Sequence, residues 1–136
     1  MIDKPTPPID AWTEPFWTAV RQEKLLLQFC PHCREHIFYP RRYCPTCLAE
    51  DMTWVEAAGR GKVYAFTVVQ NNAPSAFLPD MPFVIGIVIL NEGVRMMSNI
   101  VGCDPETIYS EMPVVVTFEK LNDDMTLPKF KPAVSV

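Results

Sequence analysis

The chain opens on a stretch that fits no periodic element. Pro5, Pro7 and Pro8 crowd residues 1–11. Proline lacks a backbone donor and pushes its predecessor out of the helical region, so an extended arm is expected. A helical pattern follows. Thr13 is placed to cap it, Glu14 and Pro15 suit a first turn, and Phe16, Val20 and Glu23 fall on one side, with Trp12 and Trp17 nearby. Lys24 closes the last turn with the sign that the helix dipole favours. "LLLQF" (residues 25–29) then reads as a strand. After residue 53 the pattern is strand throughout. Residues 54–59 form a short one. In residues 61–70, Val63, Ala65, Thr67 and Val69 alternate with Tyr64, Phe66 and Val68. A loop punctuated by Pro74, Pro79 and Pro82 leads to "FVIGIVIL" (residues 83–90), a buried strand with Gly86 where a bend or bulge would fit. Residues 91–93 make a three-residue hairpin loop and residues 94–101 the return strand. A helical turn capped by Asp104, with Pro105 at its first position, precedes a strong strand over residues 113–121. The last stretch, "TLPKFKPAVSV", reads as a Pro-broken edge strand or tail.

The expected fold is mainly β. It has an N-terminal arm and helix over residues 1–24, a metal-clamped ribbon over residues 25–53, and a small five-stranded antiparallel barrel of OB type over residues 54–136. A sandwich would need about seven strands. Composition narrows the class. Hydrophobic residues make up 49% of the chain, enough for a packed core, and the longest apolar run (residues 83–90) is far short of the ~20 residues a spanning helix needs. No basic stretch followed by an apolar run stands at the N-terminus, so a cytoplasmic protein without a membrane partner is expected. Twelve basic residues against sixteen acidic ones give a net charge of −4, which argues against a phosphate-backbone partner.

Five cysteines remain: Cys30, Cys33, Cys44, Cys47 and Cys103. An odd number without a secretory signal argues against a disulfide framework. Four fall into two Cys-Pro-x-Cys pairs ten residues apart, each a knuckle able to present two sulfurs to one ion. Four thiolates in tetrahedral array suit one structural Zn2+ per chain, with no coordination position left open for catalysis. The rivals are free thiols, a redox pair, and iron in an electron carrier. Rubredoxin-type knuckles resemble "CPHC" and "CPTC" but place glycine after the second cysteine, where Arg34 and Leu48 stand here. That difference is read as weakening the iron alternative. His32 and His36, inside and just beyond the first knuckle, are read as neighbours of the site and not ligands.

The order of these pieces carries a resemblance. A helix with "PFWTAV", then "LLLQFC", "FYPRRYCPTC", "GRGKVYAFTVV", "GVRMMSNIVG", "PVVVTFEK" and "PKFKP" resembles the zinc-ribbon plus OB-fold family of acyl-CoA-associated proteins known as domain of unknown function thirty-five. The resemblance runs from about Trp12 to Pro132. It departs at Arg34 and Glu35, and again at Glu111 and Met112, where the family usually has glycine. It implies an N-terminal helix, a rubredoxin-like zinc ribbon and an OB barrel. It also implies a non-catalytic subunit that pairs with a thiolase-like enzyme, or with a hydratase or aldolase, acting on acyl-CoA or ketide substrates in a hetero-oligomer.

No phosphate-cradling glycine loop, nucleophile elbow or His–carboxylate pair is evident, so no catalytic residue is assigned. Trp12, Phe16 and Trp17 are the expected partner-binding residues, because exposed aromatics are enriched in interfaces. Arg41 and Arg42, flanked by Tyr39 and Tyr43, are the expected contacts for a CoA phosphate. A single-stranded nucleic-acid-binding barrel using Tyr64, Phe66 and Arg60 is the alternative function of a different class. Cys103 has no histidine near it in sequence and is read as a packed apolar residue.

Overall fold

The computed structural model describes residues 4–133. The arm leads into one helix, α1 (Glu14–Arg21), whose buried face is Phe16, Ala19 and Val20. Thr13 stands at its N-cap, but its hydroxyl accepts from the Asp10 N–H and caps no helical amide. The helix stops earlier than its pattern suggested. Glu23 turns left-handed (φ 60°) and the Lys24 N–H donates back to the Ala19 carbonyl, which makes Arg21 the basic residue of the last turn.

Three short strands build the ribbon sheet: β1 (Leu26–Cys30), β2 (Glu35–Ile37) and β3 (Thr53–Glu56), in the order β2-β1-β3, all antiparallel. Residues 54–56, assigned by pattern to the start of the barrel segment, pair with β1; Trp54 faces Gln28. The ten residues between the cysteine pairs do not close on themselves as a hairpin. Their first part, β2, folds back on β1 across the first knuckle, and the rest is irregular.

Five strands form a closed barrel in the order β4-β5-β6-β8-β7: β4 (Arg60–Val69), β5 (Phe83–Leu90), β6 (Arg95–Ile100), β7 (Pro113–Lys120) and β8 (Thr126–Pro132). Four seams are antiparallel. The fifth, β6 to β8, is parallel and is paired at one position, Ile100 with Phe130. β5 alternates half-buried and buried residues, so its inner face is Val84, Gly86, Val88 and Leu90. The irregularity expected at Gly86 lies on the neighbouring strand, where the register shifts between Val63 and Ala65. Gly86 keeps a regular ladder, and a Cβ there would meet the Ile100 side chain at 3.0 Å.

The last segment corrects the pattern reading most. Residues 126–132 are no loose edge but a full barrel strand, bonded to β7 along its length. Pro128 is tolerated because its carbonyl, and hence the side where its N–H would be, faces the sparse β6 seam; Ser98 Oγ donates to that carbonyl. Two residues on, Phe130 is 0% exposed.

Helix, ribbon base and barrel share one core. Phe16 and Val20 of α1, Leu27 of β1 with the adjacent Leu25, and Val63, Val88, Val114 and Phe130 of the barrel belong to one buried cluster. The junction into the barrel needs two glycines. Gly59 has a φ of 77°, and a Cβ there would stand 2.6 Å from a Val116 methyl; at Gly61 it would meet the Ile89 carbonyl oxygen at 2.3 Å. No helix among the described residues is long and apolar enough to cross a membrane.

A candidate metal centre and the groove beside it

The four knuckle sulfurs lie within 4.8 Å of one another. Cys30 Sγ is 3.6 Å from Cys47 Sγ, and Cys33 Sγ is 4.0 Å from Cys44 Sγ. Zinc–sulfur bonds of about 2.3 Å in tetrahedral array put sulfurs ~3.8 Å apart, so the donor set fits one zinc ion. These separations are far too long for disulfides. Cys30 and Cys44 are buried with Ile37 in a small cluster of their own, Cys33 is half-buried, and Cys47 is exposed.

Main-chain amides converge on the sulfurs. The Cys33 N–H donates to Cys30 Sγ at 3.4 Å. Hydrogen bonds from the Cys47 and Thr46 N–H groups draw the Cys44 thiol down to about 6, against desolvation. Cys33 is pushed up to about 12, first by its hydrogen bond with the Cys47 side chain and then by desolvation. Cys47 is drawn down by the Ala49 N–H but raised on balance by desolvation and its Cys30 neighbour. At pH 7, then, Cys44 is ionised while Cys33 and Cys47 keep their protons. Zinc binding must expel at least those two. Apparent zinc affinity is expected to fall by at least about 100-fold per pH unit near neutrality, and more steeply below about 6, where Cys44 is protonated as well. Chelator competition across pH 6 to 8 measures that slope, and a release of one proton or none contradicts it.

The knuckle turns hold a finding that the sequence hid. Arg34 and Leu48, each following the second cysteine of a pair, both adopt left-handed backbone (φ 56° and 64°), and their N–H groups donate to the Cys30 and Cys44 carbonyls at 2.7 and 2.8 Å. Glu111, at the third position where glycine is usual in the family, does the same (φ 70°). Arg34, Leu48 and Glu111 thus take the left-handed turn that glycine favours without being glycine. A non-glycine residue there carries about 1 kcal/mol of strain. Arg34→Gly and Leu48→Gly are each expected to stabilise the zinc-loaded protein by up to about 1 kcal/mol, less the backbone freedom that glycine adds to the unfolded chain. Thermal denaturation checks this, and a fall in midpoint for both would contradict it.

Around the knuckles, His32 Nε2 lies 2.9 Å from Asp51, tying the first knuckle to the segment after the second, and His36 packs on Phe29 with ring centroids 5.1 Å apart. Gln28 is the buried polar side chain of the ribbon, 4% exposed. Its amide holds the Arg41 main chain at both ends: Nε2 donates to the Arg41 carbonyl and Oε1 accepts from the Arg41 N–H, each at 2.7 Å. This clamp fixes where the two arginines leave the ribbon. Both are exposed; Arg42 lies over the Tyr43 ring and 3.6 Å from Glu50.

The three aromatics expected to meet a partner separate. Phe16 is 3% exposed, inside the shared core, so its ring is not on the surface. Trp17 is half-buried and edge-on to Phe16. Trp12 is 42% exposed. All three reach one groove of about 480 Å3 between α1, the ribbon and the barrel, whose other walls include Phe38, Tyr39, Met96, Met97 and Pro128. It lies over the sparse β6–β8 seam, where the Tyr39 hydroxyl accepts from the Met97 N–H at 3.1 Å. Lys129, at its edge, is paired with Glu119 at 2.9 Å. The sequence reading missed Gln28, Tyr39 and Met97. Gln28, a lone polar residue inside an apolar strand, was the one visible signal. Of the residues proposed for nucleic acid, Tyr64 has one ring face covered by the Arg95 guanidinium at 4.2 Å. Cys103 packs, half-buried, against the shared core.

Comparison with known proteins agrees with this architecture. Residues 17–53 match the ChsH2 rubredoxin-like zinc ribbon domain, and residues 54–119 match the ChsH2 C-terminal OB-fold domain. The chain is 37% identical over 131 residues to a probable enoyl-CoA hydratase alpha subunit of Thermomonospora curvata, covering 96% of this chain but 40% of that protein. It is 34% identical over 110 residues to a DUF35 domain-containing scaffold protein of Methanocaldococcus jannaschii, covering 79% of this chain and 77% of that one. Among solved structures, a chain of the Ltp2-ChsH2(DUF35) aldolase superposes with a TM-score of 0.85 at 37% identity, covering 95% of this chain and all of that one.

Proposed function

Because the chain belongs to the ChsH2-type DUF35 family of zinc-ribbon and OB-fold proteins, we propose that it is a non-catalytic subunit that docks on an acyl-CoA-processing enzyme of thiolase-like, hydratase or aldolase type. The observation that carries this reading is the whole-chain likeness to a chain of the Ltp2-ChsH2(DUF35) aldolase. The relative named as a hydratase alpha subunit points the same way, although this chain spans 40% of its length.

The geometry supports a supporting role. Four cysteines stand close enough to fill all four positions of one zinc ion, which would supply stability and leave no position for substrate. The groove gathers Trp12, Tyr39 and Met97 as exposed large apolar residues. Such a patch fits a partner surface or the apolar part of a bound acyl group. Arg41, its main chain held by Gln28, stands one residue beyond Pro40 of the groove wall and presents a guanidinium suited to a CoA phosphate.

The test is native co-purification of the tagged protein from its own host, with partner and metal identified in one sample. A thiolase-like, hydratase or aldolase partner and one zinc per chain are expected. A lone protein, a nucleic-acid complex or a coloured iron protein overturns the reading. Within a complex, Arg41→Ala with Arg42→Ala is expected to weaken CoA binding about tenfold or more; unchanged CoA binding removes the arginines from the proposal.

A further inference from the structure

The four knuckle cysteines are not equivalently placed, and one of them is an exposed residue. Cys30 ends strand β1 and is 0% exposed, Cys44 is buried beside it, and Cys33 is half-buried. Cys47 is the exposed member of the set. The residue after it, Leu48, sits in a left-handed turn at 72% exposure and so does not fold back as a cover. The sulfur facing Cys47 across the knuckles at 3.6 Å is that of Cys30.

We propose that Cys47 is an oxidation site, and that hydrogen peroxide converts the pair Cys47–Cys30 to a disulfide that releases the zinc. The chemistry balances without further reagents. The Cys47 thiolate attacks one peroxide oxygen; a sulfur–oxygen bond forms, the oxygen–oxygen bond breaks, and the leaving hydroxide takes a proton to become water. The Cys30 thiolate then attacks the Cys47 sulfur and expels the second oxygen, which leaves as water after protonation. Two thiolates are oxidised by two electrons, and the peroxide is reduced to two waters. The sulfurs must close from 3.6 Å to about 2.05 Å, a movement of about 1.5 Å that the exposed knuckle turn can supply. Cys33 and Cys44 alone then face the ion, too few donors for a structural zinc site.

The disulfide joins the two knuckles, so the ribbon is not simply unclamped. It exchanges a four-sulfur centre for one cross-link between the end of β1 and the second knuckle. The segment between the knuckles carries Tyr39 and Arg41, which anchor to Met97 and Gln28. The oxidised and zinc-loaded forms therefore differ where the groove meets the ribbon. This proposal concerns the chain itself and stands whether or not an enzyme partner is found.

The experiment uses the zinc-loaded full chain treated with less than one equivalent of hydrogen peroxide. Remaining thiols are blocked by alkylation, disulfides are mapped by peptide mass spectrometry, and free zinc is read with a chromogenic chelator. The expected result is a Cys30–Cys47 disulfide with one zinc released per disulfide, reversed by thiol reductant plus zinc. Cys103 is expected to remain alkylatable, and Cys103→Ser to leave the release rate unchanged. Any first disulfide other than Cys30–Cys47 (the neighbouring cross-knuckle pair Cys33–Cys47 included), zinc retained after the disulfide forms, or dependence on Cys103 each overturns the proposal.

Discussion

Phe130→Ala is expected to destabilise the protein by about 3–5 kcal/mol, in the range found for emptying a fully buried aromatic site. The ring is 0% exposed and lies in the core shared by α1, the ribbon base and the barrel. Its strand position multiplies the consequence. Phe130 pairs with Val116 on β7 and with Ile100 on β6, the one paired position of the barrel's parallel seam, and its carbonyl accepts from the Val101 N–H. A cavity here sits under the thinnest part of the barrel wall, where few ladder bonds resist relaxation. Phe66→Ala is the comparison: the same chemical deletion at a 37%-exposed ring outside that core, expected to cost under about 1 kcal/mol. Urea denaturation of both variants measures the difference. Equal losses would mean that Phe130 does not join the three parts.

What was legible in the sequence was what repeats with a period or a fixed spacing. Strands β4, β5 and β7 alternate or carry long β-branched runs, β6 follows from the hairpin loop before it, and the cysteine pairs announce a metal by spacing alone. What was not legible has physical reasons. β8 was obscured by Pro128 and Pro132, residues that disqualify a central strand unless the missing donor faces an unpaired seam, and only the barrel topology shows that it does. The left-handed turns at Arg34, Leu48 and Glu111 were not legible because the residue type that usually marks such backbone, glycine, is absent there; the bonds around them hold it. Phe16 looked like an interface residue because an aromatic on a short N-terminal helix has no visible core in its neighbourhood. Its partners, among them Phe38 of the ribbon, come from elsewhere in the chain. The groove was invisible for the same reason. Trp12, Tyr39 and Met97 stand in three segments that only the tertiary fold brings to one place.

Removing the metal should have a still larger effect than removing Phe130, and a sharply bounded one. Structural zinc in zinc-finger peptides contributes an apparent 10–16 kcal/mol, and here the ribbon's outer part is otherwise held mainly by Phe38 against the shared core and by the Tyr39–Met97 and Gln28–Arg41 bonds. Its own buried cluster is Cys30, Ile37 and Cys44, two of them ligands. The base of β1 is different, because Leu25 and Leu27 are anchored in the shared core. Chelation, or Cys30→Ser, is therefore expected to abolish amide-exchange protection from about residue 29 to residue 52 while strands β4 to β8 keep theirs. Exchange measured by mass spectrometry with and without chelator decides it. Retained protection over residues 31–47 would show that the metal is not what orders the knuckles, and loss across the barrel would show that the two parts unfold as one. The expected boundary also says what the metal is for. Tyr39 and Arg41 lie inside the segment that would be lost, and their anchors on Met97 and Gln28 lie outside it. On that expectation, a metal ion with no open coordination position would still decide whether the groove has its ribbon wall and whether the arginines stand beside it.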